Sequence, residues 1–353
     1  MRRNGNLSEL IKAAARKAGF DLAGIAPADD FPELARFPEW IAKGRAGDMK
    51  YLESRAPSGE LRRACLRSAF SWARSVVVCA INYNTAHPYS TENGDADHGW
   101  VSRYAWSRDD YHHSIMRRLG DVEAQLKTIC GAATQTRAYV DTGPIVERVY
   151  ARYAGIGWLG KNTCFINQQI GSWLFLGVIV TSIELSPDLP QPDRCGTCTR
   201  CLEACPTGAF PAPYELDSNR CIAYLTIEKR GHIPEELRAG MGRHVFGCDI
   251  CQEVCPWNRR APVSNKEEFE PREGLVNPAL AWLAELSPET FGEKFRRSPL
   301  KRARRNGLRR NALIAIGNSG NPSFLPVVER AAQDEDLVVA DTAQWARRRI
   351  LDE

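Results

Sequence analysis

Eight of the twelve cysteines in this 353-residue chain lie between residues 195 and 255, and their spacing limits the possible folds more than any other feature. The first four follow the pattern Cys-x2-Cys-x2-Cys-x3-Cys-Pro, which binds a [4Fe–4S] cluster in bacterial ferredoxins. A later run repeats the ending of this pattern as Cys-x2-Cys-x3-Cys-Pro, without the first cysteine. Cys221 lies between the two runs and can supply the missing ligand. The spacing therefore predicts a module that holds two [4Fe–4S] clusters.

The ligands of each predicted cluster follow from the same spacing, because the cysteine before proline reaches the neighbouring cluster in two-cluster ferredoxins. Cluster 1 is assigned to Cys195, Cys198, Cys201 and Cys255. Cluster 2 is assigned to Cys205, Cys221, Cys248 and Cys251. A pair of structural zinc sites is the alternative interpretation, but zinc does not require the Cys-Pro ending. Since such clusters relay single electrons, the rest of the chain is expected to supply the electron acceptor.

The residues before the cysteines alternate between strand and helix patterns. Continuous apolar runs at 74–84 and 173–182 are typical of buried strands, and the spacing of apolar residues at 109–131 indicates a helix. Such alternation favours an α/β domain, and we expect a mixed sheet covered by helices. Proline-bearing linkers near 187–192 and 261–275 then divide the chain. We predict an α/β domain over residues 1–190, a bacterial-type two-[4Fe–4S] ferredoxin module over 191–260 and a C-terminal helical domain over 275–353.

The C-terminal part carries helical patterns at 300–317, 322–332 and 337–351. Its helices, joined by a short Gly- and Asn-rich turn, resemble a repeat unit of the HEAT kind. A single unit cannot bury its apolar face alone, so we expect this part to pack on the rest of the chain.

No segment of the sequence is long and apolar enough to cross a membrane. The longest apolar stretch, at 173–183, has eleven residues, whereas a bilayer-spanning helix needs roughly 20. Arg2 and Arg3 suggest an export signal, but the helical pattern that follows at 7–18 carries four charged side chains. An export signal would be apolar there. We therefore expect a cytoplasmic protein.

Positive charge is concentrated near the C-terminus. The whole chain has a net charge of +4, yet residues 294–310 alone contain nine Lys or Arg and no acidic residue. Basic runs of this density bind phosphate backbones through counterion release. A solvated basic helix face is the alternative interpretation of the run.

Asp141 is the candidate catalytic residue. It follows a predicted strand at 136–140 and precedes a Thr-Gly-Pro turn, after which Pro144 is expected to begin a helix. Ligands bind at such strand ends in α/β sheets. A carboxyl kept protonated by apolar surroundings can act as a proton donor. The alternative interpretation is a turn or helix-capping aspartate.

Several short motifs, taken together, resemble one known family. They are Asp110-Tyr-His112, Tyr139-Val-Asp-Thr-Gly-Pro144, Glu147-Arg148 and Gly155-x-Gly-x-x-Gly-Lys-Asn162. With the double cluster module and the HEAT-like tail, this combination resembles epoxyqueuosine reductase over nearly the whole chain. That family is similar in architecture to reductive dehalogenases, which pair a cobalamin-binding domain with two clusters.

The resemblance implies an activity and a second cofactor. The reaction is the reductive deoxygenation of epoxyqueuosine to queuosine in the tRNA anticodon loop, which is the last step of queuosine biosynthesis. Electrons would pass from an unidentified low-potential donor through the two clusters to cobalamin, and Asp141 would donate a proton. The cobalamin contacts implied by the family are Arg63, Ser102, Asp141, Phe165, Leu176, Ala223, Cys248 and Asp249.

The expected macromolecular partner is tRNA carrying epoxyqueuosine, and the chain is expected to act as a monomer. We assign the tRNA contacts to Arg230, Arg296, Arg297, Lys301, Arg304 and Arg305. Two other functions stay open at this point. A corrinoid and iron–sulfur reductase of a small substrate would not need the basic run, and an electron-carrier subunit would bind no corrinoid.

Overall fold

The computed structural model describes residues 2–92 and 94–352. Its longer helices are α1 (Arg2–Lys17), α2 (Pro32–Ala42), α3 (Leu66–Ala69), α4 (Tyr111–Cys130), α5 (Glu147–Tyr153), α6 (Arg200–Glu203), α7 (Ile222–Ile227), α8 (Glu235–Arg238), α9 (Ile250–Glu253), α10 (Leu280–Ala284), α11 (Pro288–Lys294), α12 (Arg305–Ser319), α13 (Leu325–Ala331) and α14 (Leu337–Leu351). The strands are β1 (Leu22–Pro27), β2 (Ser75–Asn82), β3 (Trp100–Val101), β4 (Thr136–Tyr139), β5 (Trp158–Leu159), β6 (Phe165–Ile166), β7 (Leu174–Thr181) and β8 (His244–Phe246). Short 3₁₀ turns occupy Lys50–Glu53, Arg103–Ala105, Ser218–Arg220, Ala239–Met241, Pro256–Asn258, Glu267–Phe269, Pro299–Ala303 and Pro322–Phe324.

The described chain divides into two compact units, each assembled from three separate segments. The first unit contains Met1–Asn84, Tyr111–Thr199 and Pro256–Ser264. The second contains Thr85–Asp110, Arg200–Cys255 and Asn265–Glu353. The division of roles among the three consecutive parts of the sequence stays a prediction. None of the helices in the described residues combines the length and the apolar character that a bilayer crossing requires.

The first unit is built around a four-stranded sheet in the order β1-β2-β7-β4. Each neighbouring pair in this sheet is antiparallel, so the expectation of a mixed sheet was wrong. The sequence could not reveal this, because a buried strand has the same continuous apolar pattern in either pairing. The predicted strands themselves are confirmed within two residues at their ends.

Helices cover both faces of this sheet. On β7, Gly177 faces Ile115 and Leu119 of α4, and the missing side chain lets the helix approach closely. The next residue, Val178, points to the opposite face and packs in a cluster with Val149 of α5. All eight residues of β2 are buried between these layers. The predicted α/β architecture of this part is therefore present, although its strands run antiparallel.

Helix α5 begins at Glu147, three residues later than the expected start at Pro144. The residues between form an irregular turn that packs on β4. A Cβ atom on Gly143 would lie 2.5 Å from the Tyr139 ring, so only glycine fits there. This close approach keeps Pro144 in the turn and out of the helix.

The second unit contains the parallel pair β3–β8 and the helices α6 to α14. Helix α12 lies at its centre, with every residue from Leu308 to Gly317 buried. The predicted helix at 300–317 is interrupted, because Arg304 has a φ of 62° and separates a 3₁₀ turn from α12. The predicted helices at 322–332 and 337–351 correspond to a 3₁₀ turn followed by α13, and to α14.

Candidate active site

The second unit carries six of the eight cysteines on short helices and at their ends. Cys201 lies in α6, and Cys251 lies in α9, which packs against α6. Cys221 directly precedes α7. Short helices of this kind hold successive cysteines on one tight loop, which is the arrangement that a cubane cluster requires.

Two sulfur atoms of the second unit, those of Cys205 and Cys248, lie in polar or buried surroundings. The backbone N–H of Ala209 donates to Cys205 Sγ at 3.3 Å. Burial raises the pKa of the Cys248 thiol well above its usual value, and the nearby Cys221 adds to this effect. A thiol in such a position stays protonated until iron replaces the proton. No three metal-ligating side chains in the described residues form a group for a single ion. The four thiolates of a cubane bind four different iron atoms.

Cys195 and Cys198 lie in the first unit, on a loop that Lys161 holds in place. The Lys161 ammonium donates to the carbonyl oxygens of Gly196 and Cys198, at 2.6 and 3.0 Å. The Asp193 carboxylate accepts the N–H of Cys195 at 2.7 Å. Lys161 belongs to the glycine-rich motif Gly155-x-Gly-x-x-Gly-Lys-Asn162, but nothing in that motif predicts this role. Its contact is with residues 35 and 37 positions away, which no local pattern reveals.

Asp141 lies directly beyond β4 in a strained turn. Its φ is 60°, in the left-handed region that few residues other than glycine adopt. The N–H of Thr142 donates to the carbonyl oxygen of Val140 at 2.6 Å, so the turn closes over three residues with Asp141 at its centre. Asp141 is exposed, unlike the enclosed carboxyl that the sequence analysis considered. Strained exposed residues of this kind cluster at functional sites.

Two side chains hold Asp141. The Tyr111 hydroxyl donates to Asp141 Oδ2 at 3.1 Å, and Glu147 Oε1 accepts the backbone N–H of Asp141 at 2.7 Å. Tyr111 is itself buried, with its ring stacked on Phe175 at 4.2 Å. Neither side chain was named as a site residue from the sequence, although both lie in the quoted motifs.

The carboxyl of Glu147 is crowded by protein atoms, even though the residue keeps some contact with solvent. Burial raises the pKa of Glu147 to about 8, and the neighbouring Asp141 contributes in the same direction. The guanidinium groups of Arg148 and Arg63 act in the opposite direction but do not cancel the shift. Glu147 is therefore mostly protonated at neutral pH.

An apolar surface is partly open beside Asp141. Leu174 and Leu176 are only partly buried, whereas the second half of β7 is fully buried. Asp141 follows β4, which pairs with β7 up to Tyr139 and Val178. Phe165 packs in the same apolar cluster as Leu176. Of the predicted cobalamin contacts, the structure thus brings Phe165 and Leu176 together, and Asp141 lies just beyond the strand that neighbours β7.

The remaining predicted cobalamin contacts have other surroundings. In the first unit, the half-buried Arg63 lies with its guanidinium 5.8 Å from the centre of the Tyr51 ring. In the second unit, the Ser102 hydroxyl and the Arg103 N–H donate to the buried Asp249 carboxylate at 2.5 and 2.6 Å. Burial raises the pKa of Asp249 to about 6. Ala223 and Cys248 are partly buried in the same unit.

The basic run does not form a uniform surface. Arg296, Arg297, Lys301 and Arg304 are exposed. Arg309 and Arg310, at the end of the same run, are buried inside the second unit and bind backbone carbonyl oxygens. The spacing of the cations in the sequence could not distinguish the exposed from the buried ones. The helix is interrupted at Arg304, so the residues before and after it do not follow one helical periodicity.

Two predicted tRNA contacts already bind the protein itself. The guanidinium of the half-buried Arg305 donates to the carbonyl oxygen of Leu286 at 2.7 Å. The exposed Arg230 donates to the carbonyl oxygen of Arg302 at 2.8 Å. These two side chains therefore support the surface next to the exposed cations.

Comparison with known proteins identifies the class of this chain. Residues 194–258 match the family described as "4Fe-4S double cluster binding domain". The predicted two-cluster module is thus confirmed, and the chain is an iron–sulfur protein of the two-cluster class. Residues 63–142 match the family described as "Epoxyqueuosine reductase QueG, DUF1730".

Whole-chain relatives narrow the class further. An epoxyqueuosine reductase of Synechocystis is 44% identical over 294 residues, which cover 82% of this chain and 98% of that protein. The crystal structure of an epoxyqueuosine reductase with an epoxyqueuosine-modified tRNA-Tyr stem loop matches with a TM-score of 0.87 and 31% identity, over 98% of this chain and 90% of that chain. A Bacillus subtilis structure, with its catalytic aspartate loop swung out of the active site, matches with a TM-score of 0.86 and 30% identity over the same shares.

The chain belongs to the epoxyqueuosine reductase family, an oxidoreductase family. The resemblance inferred from the sequence motifs is thereby confirmed.

Proposed function

We propose that this protein reduces epoxyqueuosine to queuosine in the anticodon loop of tRNA, in the cytoplasm. The overall change consumes one epoxide, two electrons and two protons, and yields one alkene and one water. The observation that carries this proposal is Asp141, an exposed carboxyl at the end of a core strand, in a chain of the epoxyqueuosine reductase family.

Asp141 is proposed to give the first proton to the epoxide oxygen. Protonation turns a poor alkoxide leaving group into a hydroxyl, so the C–O bond breaks more easily. The hydrogen bond from Tyr111 to Oδ2 orients the carboxyl and leaves its other oxygen, Oδ1, for the substrate. The strained turn fixes the backbone from which this side chain extends.

The residues near Asp141 fit a corrinoid. Leu174 and Leu176 are partly open and pack in one cluster with the buried Phe165, and such an apolar surface suits the face of a large, mostly apolar ring. Arg63, on the same unit, offers donors for polar groups at the edge of such a ring. We propose that these residues and Asp141 hold one part of cobalamin, and that Ser102, Ala223, Cys248 and Asp249 hold another. When bound, cobalamin supplies the reducing metal centre of the reaction.

Two [4Fe–4S] clusters are proposed to deliver the two electrons one at a time. By spacing, cluster 1 is bound by Cys195, Cys198, Cys201 and Cys255. Cluster 2 is bound by Cys205, Cys221, Cys248 and Cys251. Two one-electron carriers match a two-electron reduction, and a low-potential protein or small molecule is proposed as the donor.

The tRNA is proposed to bind the exposed cations of the second unit. Arg296, Arg297, Lys301 and Arg304 offer charge for phosphate groups, while Arg230 and Arg305 support the backbone beneath them. Helices α12 to α14 would form the HEAT-like unit that presents this surface. The proposed roles follow the sequence parts 1–190, 191–260 and 275–353, for the cobalamin, the clusters and the tRNA.

The experiment is nucleoside mass spectrometry of tRNA carrying epoxyqueuosine. The tRNA is incubated under anaerobic conditions with cluster-loaded protein, cobalamin and a strong reductant. We expect queuosine from the wild-type protein with cobalamin, and none from Asp141→Asn. The variant keeps the size of the side chain and should keep the iron content.

Other outcomes would contradict the proposal. No queuosine from a protein with about eight irons and bound corrinoid would favour a reductase of a small substrate. Full iron content without corrinoid uptake would favour an electron-carrier subunit. Equal queuosine formation by Asp141→Asn would remove the proton-donor role.

A further inference from the structure

The turn that carries Asp141 has to be held against its own strain. A non-glycine residue with a φ of 60° is held in a sparsely populated backbone conformation. Such a conformation persists only when surrounding contacts enforce it. The Tyr111 contact fixes the Asp141 side chain but not its backbone. In the described residues, the contact that reaches the Asp141 backbone N–H from a side chain is the one from Glu147.

We propose that Glu147 is a positioning residue, which keeps the Asp141 turn closed by accepting the Asp141 N–H and so presents the Asp141 proton to the substrate. This inference rests on the proposed function of Asp141. Glu147 is the first residue of α5, so its own backbone is anchored to the helix that packs under the sheet. The turn and the helix start are thereby joined by one side chain.

The neutral form of Glu147 matters because Asp141 becomes negative when it gives up its proton. A second negative charge next to it would oppose that step, since like charges at short range in a crowded site repel strongly. Burial raises the pKa of Glu147, and a negative Asp141 raises it further, so a second charge is disfavoured once Asp141 has given up its proton. An anionic Glu147 would still accept the N–H, so its ionisation affects the chemistry rather than the turn.

The charged groups that face Glu147 are few. Asp141 raises its pKa, whereas Arg148 on the same helix and Arg63 on the segment before α3 lower it. The strands β2 and β7, against which α5 packs, contribute mainly apolar side chains. Asp141, as the proposed proton donor, also loses activity once it is ionised, so the contribution of Glu147 to the fall in kcat at high pH is the part that Glu147→Gln removes.

Two variants of Glu147 distinguish its role in holding the Asp141 turn from its role in avoiding a second negative charge beside Asp141. Glu147→Gln keeps an oxygen acceptor for the Asp141 N–H but cannot ionise. At pH 7 we expect its kcat within about threefold of wild type, and we expect the fall in kcat above about pH 8 to be smaller than in wild type. Glu147→Ala removes the acceptor, so kcat should fall about 10- to 100-fold with little change in KM for tRNA.

Amide hydrogen exchange gives a readout that does not depend on turnover. In Glu147→Ala, exchange at residues 140–143 should become at least about tenfold faster, whereas Glu147→Gln should resemble wild type. Glu33→Gln is the matched control, because Glu33 lies in the same unit and pairs with Arg152 and Tyr153. This control should leave both the pH profile and the exchange near Asp141 unchanged.

The inference is overturned if Glu147→Ala keeps wild-type kcat and exchange, or if the fall in kcat at high pH is the same in Glu147→Gln as in wild type. A proton-relay role would instead make Glu147→Gln as inactive as Glu147→Ala, and that result would also refute the proposal. Inactivity of the wild-type protein on tRNA carrying epoxyqueuosine, with normal exchange results, would count against the proposed function and not against the turn.

Discussion

Replacing Asn311 with alanine should loosen the second unit where the cluster-bearing segments meet α12. Asn311 is fully buried, and its Nδ2 donates to the carbonyl oxygens of Thr226 and Val245, both at 2.8 Å. The Thr226 hydroxyl in turn accepts the N–H of Gly247 at 2.9 Å, directly before Cys248. One side chain of α12 therefore connects α7 and β8, and α7 in turn binds the residue before a predicted cluster ligand.

The expected loss follows from these contacts. A buried carbonyl that loses its donor costs about 1–3 kcal/mol. Asn311→Ala leaves two such carbonyl oxygens, on Thr226 and Val245, and it also removes the oxygen that accepts from the buried Arg310 guanidinium. We therefore expect the free energy of unfolding of the second unit to fall by about 3 kcal/mol or more.

The assay is urea unfolding, followed by tryptophan fluorescence and by the visible absorbance of the clusters. Asn318→Ala is the matched control on the same helix, since Asn318 also donates to two carbonyl oxygens, of Arg238 and Gly242. Asn318 is only partly buried, so water can replace it and the loss should be about 1 kcal/mol. A loss below about 1 kcal/mol for Asn311→Ala would refute the reasoning, as would equal losses for both variants.

Three further predictions concern the clusters, the tRNA surface and acid stability. Cys221→Ser should reduce the iron content of the reconstituted protein from about eight to about four per chain, because one ligand of cluster 2 is lost. The control variant Cys130→Ser should keep about eight irons. Iron is measured by a colorimetric assay, and an unchanged iron content in Cys221→Ser would exclude Cys221 as a ligand. The double variant Lys301→Glu with Arg304→Glu should weaken tRNA binding. It should also reduce by about 2 the magnitude of the slope of the logarithm of the tRNA association constant against the logarithm of the salt concentration. Filter binding from low to high salt measures this slope, and an unchanged slope would show that neither residue contacts the tRNA. Burial lowers the pKa of His244 to about 4, so its neutral form stabilises the fold above about pH 6.5, and this stability is lost as the pH falls towards 4. Between pH 7.5 and 5, the change in the free energy of unfolding should be about 2 kcal/mol less favourable in wild type than in His244→Gln, and equal changes in the two proteins would contradict the assignment.

The candidate site was predictable where its signal is local. The cluster cysteines are recognised by spacings of two or three residues, and Asp141 by its place between a strand and a turn. The partners of Asp141 were not predictable in the same way. Tyr111 lies 30 positions away, and the Glu147 contact depends on where α5 begins, which the sequence placed three residues too early.

The surroundings of the cations in the basic run were likewise not predictable from the sequence. Nine cations in 17 residues indicate a polyanion-binding surface, but the sequence treats all nine alike. In the fold, Arg310 donates to three backbone carbonyl oxygens inside the second unit, while Lys301 stays exposed. Whether a cation binds a phosphate or its own chain depends on which carbonyl oxygens the packing leaves without partners.

The sequence by itself determined the two-cluster module, the helices and strands of the core and the family. Each of these depends on residue types at short, fixed spacings, which hold in any context. The tertiary structure decided the antiparallel pairing of the sheet, the strained turn at Asp141 and the protonated state of Glu147. These properties depend on burial and on partners that are far apart along the chain, and only the folded structure brings such groups together.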